Sequence, residues 1–536
     1  MKNKWMQHLM KGALILSLSS LIAKILSAVY RVPFQNMVGN TGFYVYQQIY
    51  PIYGIGMTFA LSGFPVFISK LIAEQDGMPA QREVTKRSFV LLAFFGVLIF
   101  GFLQIGAVPI AAMMSDVQLA PIIRSVSFMF LTMPFLATTR GYFQGTFNMV
   151  PTAVSQVTEQ LIRVGVILVA AYLSIKVPWG VYKMGTWAMS GATFGAIGGT
   201  LVLARAFHKQ FFYAPDSREV IHESWTRKFE VYGRLLKRFF IEGGSICLFA
   251  SMIVLLQLVD SFTVKRGLVQ SGVPENLAKG LKGIYDRGQP LVQLGLVIST
   301  AFSSALLPSL THAYQQRRHY EFYRIAQEMV HTSSALSVAA TSGLIALMPF
   351  INRLLFGDTS GNTALCMYML SIILVALINS YNSVLQSQNE FRLTTVALFG
   401  GLLVKIIFNE WFVRHFGTTG SSFITALSLL AVFLIIYAKS SEPMKKALFE
   451  KGFIFKLLII CLIMSFVVGL TTSVFGFNPV TLGRLKAGVV TVFVAAIGAG
   501  TFIFLALRWH LFTIREWLSI PYGRRFLKWL SKRNQK

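Results

Sequence analysis

Basic side chains sit where an apolar chain has least reason to carry them. In SLSSLIAKILSAVYRVP, Lys24 and Arg31 share a stripe with Ser17, Ser20 and Ser27, because steps of three and four residues return to one helix face. Further on, GIYDRGQPLVQLGLVISTAFSSALLPSL sets Asp286 and Arg287 in an apolar run. Gly288 and Pro290 follow; proline removes a backbone donor and disfavours helix before it, so a break is expected beside these charges. A guanidinium at mid-bilayer costs about 2.5–3.5 kcal/mol even on the mildest scale, so its presence there implies a function. The chemistry it suits is capture of an anion. Each contact between an anionic charge and a cation near 4 Å is worth about 4 kcal/mol at an effective dielectric of about 20.

Arg163 and Lys405 are two further candidate cavity cations. TAVSQVTEQLIRVGV aligns Thr152, Gln156, Glu159 and Arg163 on one face, and Glu159 and Arg163, four apart, are expected to pair. Gln48, Gln156, Gln289 and Gln293, with Gln47 and Gln144, are candidate hydrogen-bond donors and acceptors for a polar substrate. Asp286, Glu159, Glu242, Asp260 and Glu410 are candidate proton or sodium sites, each equally suited to neutralise a nearby base. The stretch FYVYQQIYPIYG reads either as an interfacial aromatic belt or as a cavity wall.

These residues must be held by membrane helices. The chain has 536 residues, 54% hydrophobic and 13% charged, which excludes a soluble multi-domain protein. A net charge of +28 suggests nucleic acid in a soluble chain; here the bases fall between apolar spans, where they set topology. About fourteen spans are expected, from 11–29 to 485–508, with the Asp286 run at 285–308. Roughly 32 basic residues fall on one face and about 12 on the other, so both termini are expected in the cytoplasm. Cys247, Cys366 and Cys461 lie far apart without metal or disulfide spacing. Gly191, Gly195, Gly198 and Gly199 form a close-packing seam.

A gapless alignment of QGTFNMVPTAVSQVTEQLIRV with QSQNEFRLTTVALFGGLLVKI brings Arg163 onto Lys405 and Thr152 onto Thr394. The offset spans six helices and so preserves orientation. The expected fold is all-α and polytopic, with two six-helix lobes related by a pseudo-two-fold along the membrane normal. The N-lobe is 1–207, an amphipathic cytoplasmic linker 208–237, the C-lobe 238–438, two further helices occupy 439–508, and 509–536 is a basic cytoplasmic tail with Arg524, Arg525, Lys528 and Trp529. No phosphate-binding loop, HExxH or paired-aspartate motif is present in the sequence, so neither a nucleotide nor a metal cofactor is expected, and turnover would draw on the membrane potential, H+ or Na+.

A cationic first helix, YDRGQP opening the eighth and ALLPSL closing it resemble the multidrug/oligosaccharidyl-lipid/polysaccharide exporter superfamily. Within it, KILSAVYRVPFQNMVGNTGFYVYQQIYP, GFPVFISKLIAE and RGYFQGTFNMVPTAVSQVTEQLIRV are similar to the bacterial branch of stage V sporulation protein B and the MurJ lipid II flippases, over essentially the whole chain. The resemblance implies a monomeric flippase of the bacterial cytoplasmic membrane that moves an undecaprenyl-diphosphate-linked saccharide, lipid II or a related cell-wall or spore-cortex precursor, from the inner to the outer leaflet by alternating access. It implies that Lys24 and Arg287 face a cationic cavity and that the last two helices hold the polyprenyl tail. NTGFYVYQQ and YGIGMTFAL lack the acid and arginine that Gram-negative MurJ enzymes carry around the second helix, which leaves cargo and coupling open. Two rivals remain: a drug or cation antiporter of the same superfamily, which needs an acidic cavity, and a saccharide polymerase or ligase, for which Asp286 is the tempting acid.

Overall fold

The computed structural model describes residues 2–211, 225–388 and 390–519. Every regular element among them is helical, as lipid demands of a chain whose backbone groups must be satisfied within each segment. In order they are α1 (Lys2–Val29), α2 (Arg31–Thr58), α3 (Phe64–Ala73), α4 (Met78–Met113), α5 (Ala120–Ser127), α6 (Met129–Gly145), α7 (Met149–Lys176), α8 (Val181–Phe211), α9 (Trp225–Arg238), α10 (Gly244–Ala250), α11 (Met252–Gln270) and α12 (Glu275–Asp286). Then follow α13 (Gly288–Gln315), α14 (His319–Phe356), α15 (Asn362–Ser387), α16 (Phe391–Lys439), α17 (Glu442–Ala447), α18 (Phe453–Val474), α19 (Arg484–Arg508) and α20 (Ile514–Ser519). The expected linker helix is described from Trp225 onward, and the basic tail as far as Ser519; the remaining residues of both, including Arg524, Arg525, Lys528 and Trp529, lie outside the described residues.

Among the described residues, ten helical segments are long and apolar enough to cross a membrane, or eleven if the bent α9–α11 pair is one span, against the fourteen expected. Two of the ten, Ile15–Ala73 and Arg392–Lys439, run 59 and 48 residues. A bilayer core needs about 20 helical residues, so each is long enough for two crossings. Both contain a glycine in the left-handed region, Gly39 at φ 69° and Gly417 at φ 60°, which no L side chain occupies cheaply. The break expected beside Asp286 is present: α12 ends there, and α13 begins at Gly288.

Two compact units divide the chain at Asp286/Arg287, Leu393/Thr394 and Gly417/Thr418, elsewhere than at the 208–237 linker. The first unit holds Met1–Asp286 with Thr394–Gly417. In it the glycine seam of α8 lies on α7: a Cβ on Gly195 would stand 2.7 Å from the Glu159 carbonyl oxygen, and one on Gly191 would stand 3.0 Å from that of Arg163. Small residues thus let two backbones approach where apolar burial gives no drive in lipid. α12 lies equally close on α2, since a Cβ on Gly283 would fall 2.1 Å from the Asn40 carbonyl oxygen. In the second unit α18 and α19 pack through Met464, Val468, Val494 and Phe502 on Val338, Leu347 and Phe350 of α14, while Phe455, Leu462, Phe466, Val489 and Val492 stay exposed.

Candidate functional site

The first unit gathers its charges around four tyrosines of α2 and the α1–α2 joint. Arg31 is fully buried, with its Cζ 4.2 Å from the centre of the Tyr50 ring, and Tyr30 and Tyr46 complete its surroundings. Its Nε, Nη1 and Nη2 have no hydrogen-bond partner among the described residues. Arg163 of α7 lies on the same aromatic bed, 4.6 Å from the Tyr53 ring centre and 5.1 Å from that of Tyr30. It donates to Gln160 Oε1 at 2.8 Å and Ser27 Oγ at 3.3 Å, leaving Nη1 without a partner. The aromatic stretch of α2 is therefore interior, not an interfacial belt: Tyr44, Tyr46, Gln47, Gln48, Tyr50 and Tyr53 are all buried. Gly39 breaks α2 before them, so that they lie back beside Arg31.

The α1 stripe is realised against α7. Ser19 and Ser20 donate to Gln156 Oε1 at 3.3 and 3.2 Å, and Ser27 meets Arg163. Lys24 lies between these contacts on the same stripe, exposed, with no hydrogen bond or ion pair among the described residues.

Glu159 does not pair with Arg163. Its carboxylate takes Arg140 of α6 at 2.7 Å, both side chains being buried, and Arg140 also donates to Ser155 Oγ and the Ala60 carbonyl. Spacing on one helix could not reveal a partner supplied by another. The remaining acids are likewise held by bases. Asp286 accepts from Lys282 at 2.5 Å. Asp260 of α11 accepts from Lys405 of α16 at 2.7 Å, from Tyr285 Oη at 2.9 Å and from Asn409 at 3.1 Å. Glu242 takes Lys70 and Arg238, both at 2.8 Å, and Glu410 takes Arg414 at 2.9 Å and Arg266 at 3.4 Å. Lys405, expected as a cavity cation, is thus committed to Asp260, and Gln48 donates to the Ser261 carbonyl. Gln144 is buried at the end of α6.

In the second unit Arg287 makes a two-pronged contact with Asp358, 2.6 Å from Oδ1 and 2.9 Å from Oδ2, and donates to Asn352 at 3.0 Å. Burial pushes the Asp358 carboxyl upward, but the Arg287 bond and the Ser360 amide outweigh it and hold the group below the usual range. Gln289 is buried and Gln293 half-buried on α13. Lys282, Arg140 and Asp358 escaped the sequence reading; the four-residue step from Lys282 to Asp286 was the available signal for the first of them.

Comparison with known proteins sets this arrangement in a family. Residues 9–313 match the family model described as polysaccharide biosynthesis protein. The chain is 34% identical over 530 residues to the uncharacterized membrane protein YabM of Bacillus subtilis, covering 98% of this chain and 97% of that one. It is 26% identical over 532 residues to the Bacillus subtilis lipid II flippase MurJ, covering 93% and 95%. Among solved structures, lipid II flippase MurJ in an inward closed conformation aligns with a TM-score of 0.63 and 16% identity over 91% of this chain and 98% of that one, which shows a shared fold. This multi-pass membrane protein belongs to the polysaccharide biosynthesis protein family.

Proposed function

We propose that the protein is a flippase that carries a polyprenyl-diphosphate-linked saccharide from the cytoplasmic to the outer leaflet by alternating access, with both termini in the cytoplasm. One observation carries the reading: Arg31 is a fully buried guanidinium whose three nitrogens find no acceptor among the described residues. Cation–π contact on a desolvated ring returns about 2 kcal/mol, less than the several kcal/mol that an effectively desolvated ion forfeits. A diphosphate oxygen offers charge-assisted hydrogen bonds worth about 1.5–3 kcal/mol each. Lys24, unpaired on the same stripe, and Arg163, with one unfilled nitrogen, extend the cationic surface. Gln156, on the same face of α7 as Arg163, serves the saccharide. The polyprenyl chain stays in lipid along α18 and α19, whose apolar outer faces suit it. The membrane potential resets the empty cationic carrier, at about 2.3 kcal/mol per charge and 100 mV.

The test is flipping of fluorescent lipid II in proteoliposomes. Arg31→Gln and Lys24→Ala are expected to lower the initial rate by at least about tenfold, the loss of one charged contact of about 1.4 kcal/mol or more, while insertion and unfolding temperature persist. Wild-type rates in both variants refute the assignment. Efflux of a cationic drug would favour the antiporter, and a new glycosidic product the polymerase.

A further inference from the structure

Beside Arg31 lies a buried set of charges that the reading above leaves unused. α12 presses on α2 at Gly283, which brings Lys282 and Asp286 into the field of Arg31. Lys282 Nζ stands 2.5 Å from Asp286 Oδ1 and 5.0 Å from the Tyr285 ring centre. Tyr285 in turn donates to Asp260, whose other oxygen holds Lys405. The charged groups acting on Asp286 are Lys282 on its own helix, Asp260 from α11 and Arg31 from α2, with Lys405 of α16 behind Asp260. Lys282, Lys405, Asp260, Asp286 and Arg31 are each at most 1% exposed. Three cations against two carboxylates leave the set one positive charge in excess.

Resting on the diphosphate reading, we propose that Lys282–Asp286 is a displaceable lock that makes head-group capture take up one proton. A diphosphate diester entering beside Arg31 brings two negative charges and competes with Asp286 for Lys282. Once Lys282 turns to the phosphate, Asp286 is left buried next to the Asp260 carboxylate without its ammonium. A buried carboxylate in that position neutralises itself, and water on the cytoplasmic side supplies the proton to its oxygen. No bond other than O–H forms. One excess positive charge, two negative charges and one proton sum to zero, so the loaded set is neutral. The lock thus binds an ammonium when the carrier is empty and a proton when it is full. The Asp260–Lys405 pair, braced by Tyr285 and Asn409, stays closed throughout.

The experiment uses the purified full chain and a uridine diphosphate sugar, a soluble diphosphodiester whose own charge is constant in the range used. Calorimetry in buffers of different ionisation enthalpy is expected to show one proton taken up per probe bound. Affinity is expected to be on the order of tenfold higher at about pH 5.5 than at about pH 8. Asp286→Asn should bind with at least the affinity that the wild type shows at low pH, take up no proton and lose the pH dependence. Lys282→Met, a second variant that removes the ammonium instead, should bind more weakly and also without proton uptake. A wild type whose binding is flat with pH, or an Asp286→Asn protein that still takes up a proton, overturns the lock. In that case loss of binding in Arg31→Gln leaves the diphosphate reading standing, whereas failure of the wild type to bind the probe at all sinks both.

Discussion

Arg140 and Glu159 show what a single side chain contributes here. Their contact is 2.7 Å long and wholly buried, so removing either partner strands a charge and costs about 3–5 kcal/mol. Glu159→Gln is expected to lower the unfolding temperature in detergent sharply, whereas Arg163→Gln, which breaks hydrogen bonds to Ser27 and Gln160 and no ion pair, should unfold near the wild type and impair flipping. Comparable losses of stability in both would contradict this division of roles. The residue scale is also where the sequence was most informative and most deceptive. Lys24, Ser27 and Arg31 were legible as a stripe because helix spacing is local, and Ser20 and Ser27 of that stripe meet α7. The partner of Glu159 was illegible because spacing knows only its own helix; contact across helices depends on glycines such as Gly195, whose meaning is spatial. Lys282 was missed because it lies before the apolar run proper, in what hydropathy marks as a loop.

At the scale of elements, two joints decide what stays docked. Gly283→Ala would place a methyl 2.1 Å from the Asn40 carbonyl, so α12 must lift from α2. The expected outcome is a loss of about 1–3 kcal/mol, the range for overpacking, read as a lower unfolding temperature. The second joint holds the C-terminal helix. Thr513 and Glu516 cap α20 reciprocally, the Thr513 amide donating to Glu516 at 2.6 Å and the Glu516 amide to the Thr513 hydroxyl at 3.3 Å. Glu516 also meets His331 Nδ1 at 2.9 Å, while His331 Nε2 lies 2.7 Å from the Ala447 carbonyl. Both ring nitrogens of His331 thus face oxygen acceptors, one on each side. Burial pushes the Glu516 carboxyl upward, yet the bonds from His331 and Thr513 hold it below its ordinary value. A depressed acid contributes docking energy above its unfolded value and loses it as pH falls through the folded one. Proteolysis near Thr513 is therefore expected to accelerate on acidification below the ordinary carboxylate range, and Glu516→Gln should show the fast rate already at neutral pH. An unchanged cleavage rate in that variant would show that α20 is held by apolar contacts alone. The break at Arg287 was legible from Gly288 and Pro290; the helical breaks at Gly39 and Gly417 were not, because an isolated glycine does not announce its φ.

Across the first unit, the segment from α9 to α11 is tied down at both ends. At one end Arg238 and Lys70 clamp Glu242, with Arg238 also on Glu74 at 2.8 Å. At the other end Asp116 is a hub: Tyr44 and Tyr182 donate to it at 3.0 and 2.8 Å, and Lys279 and Lys265 stand 3.6 and 3.8 Å away. Asp116→Asn removes the charge shared by four side chains, and a destabilisation of about 3 kcal/mol is expected by thermal unfolding, as for a broken buried pair. Asp116→Ala in a Lys265→Met background should cost less than the sum of the two, since the partners share one network. The membrane class and the cationic character of the interior were legible in composition. The division into units was not, because it follows contacts that only the folded chain makes.

The five carboxylates suited to an alkali ion, Glu159, Asp286, Asp260, Glu242 and Glu410, each already hold an internal base: Arg140, Lys282, Lys405, Lys70 with Arg238, and Arg414 with Arg266. A visiting ion would have to compete with a resident ammonium or guanidinium at every one of them. Proteoliposomes bathed in choline or N-methylglucamine salts should accordingly turn over as fast as those bathed in sodium.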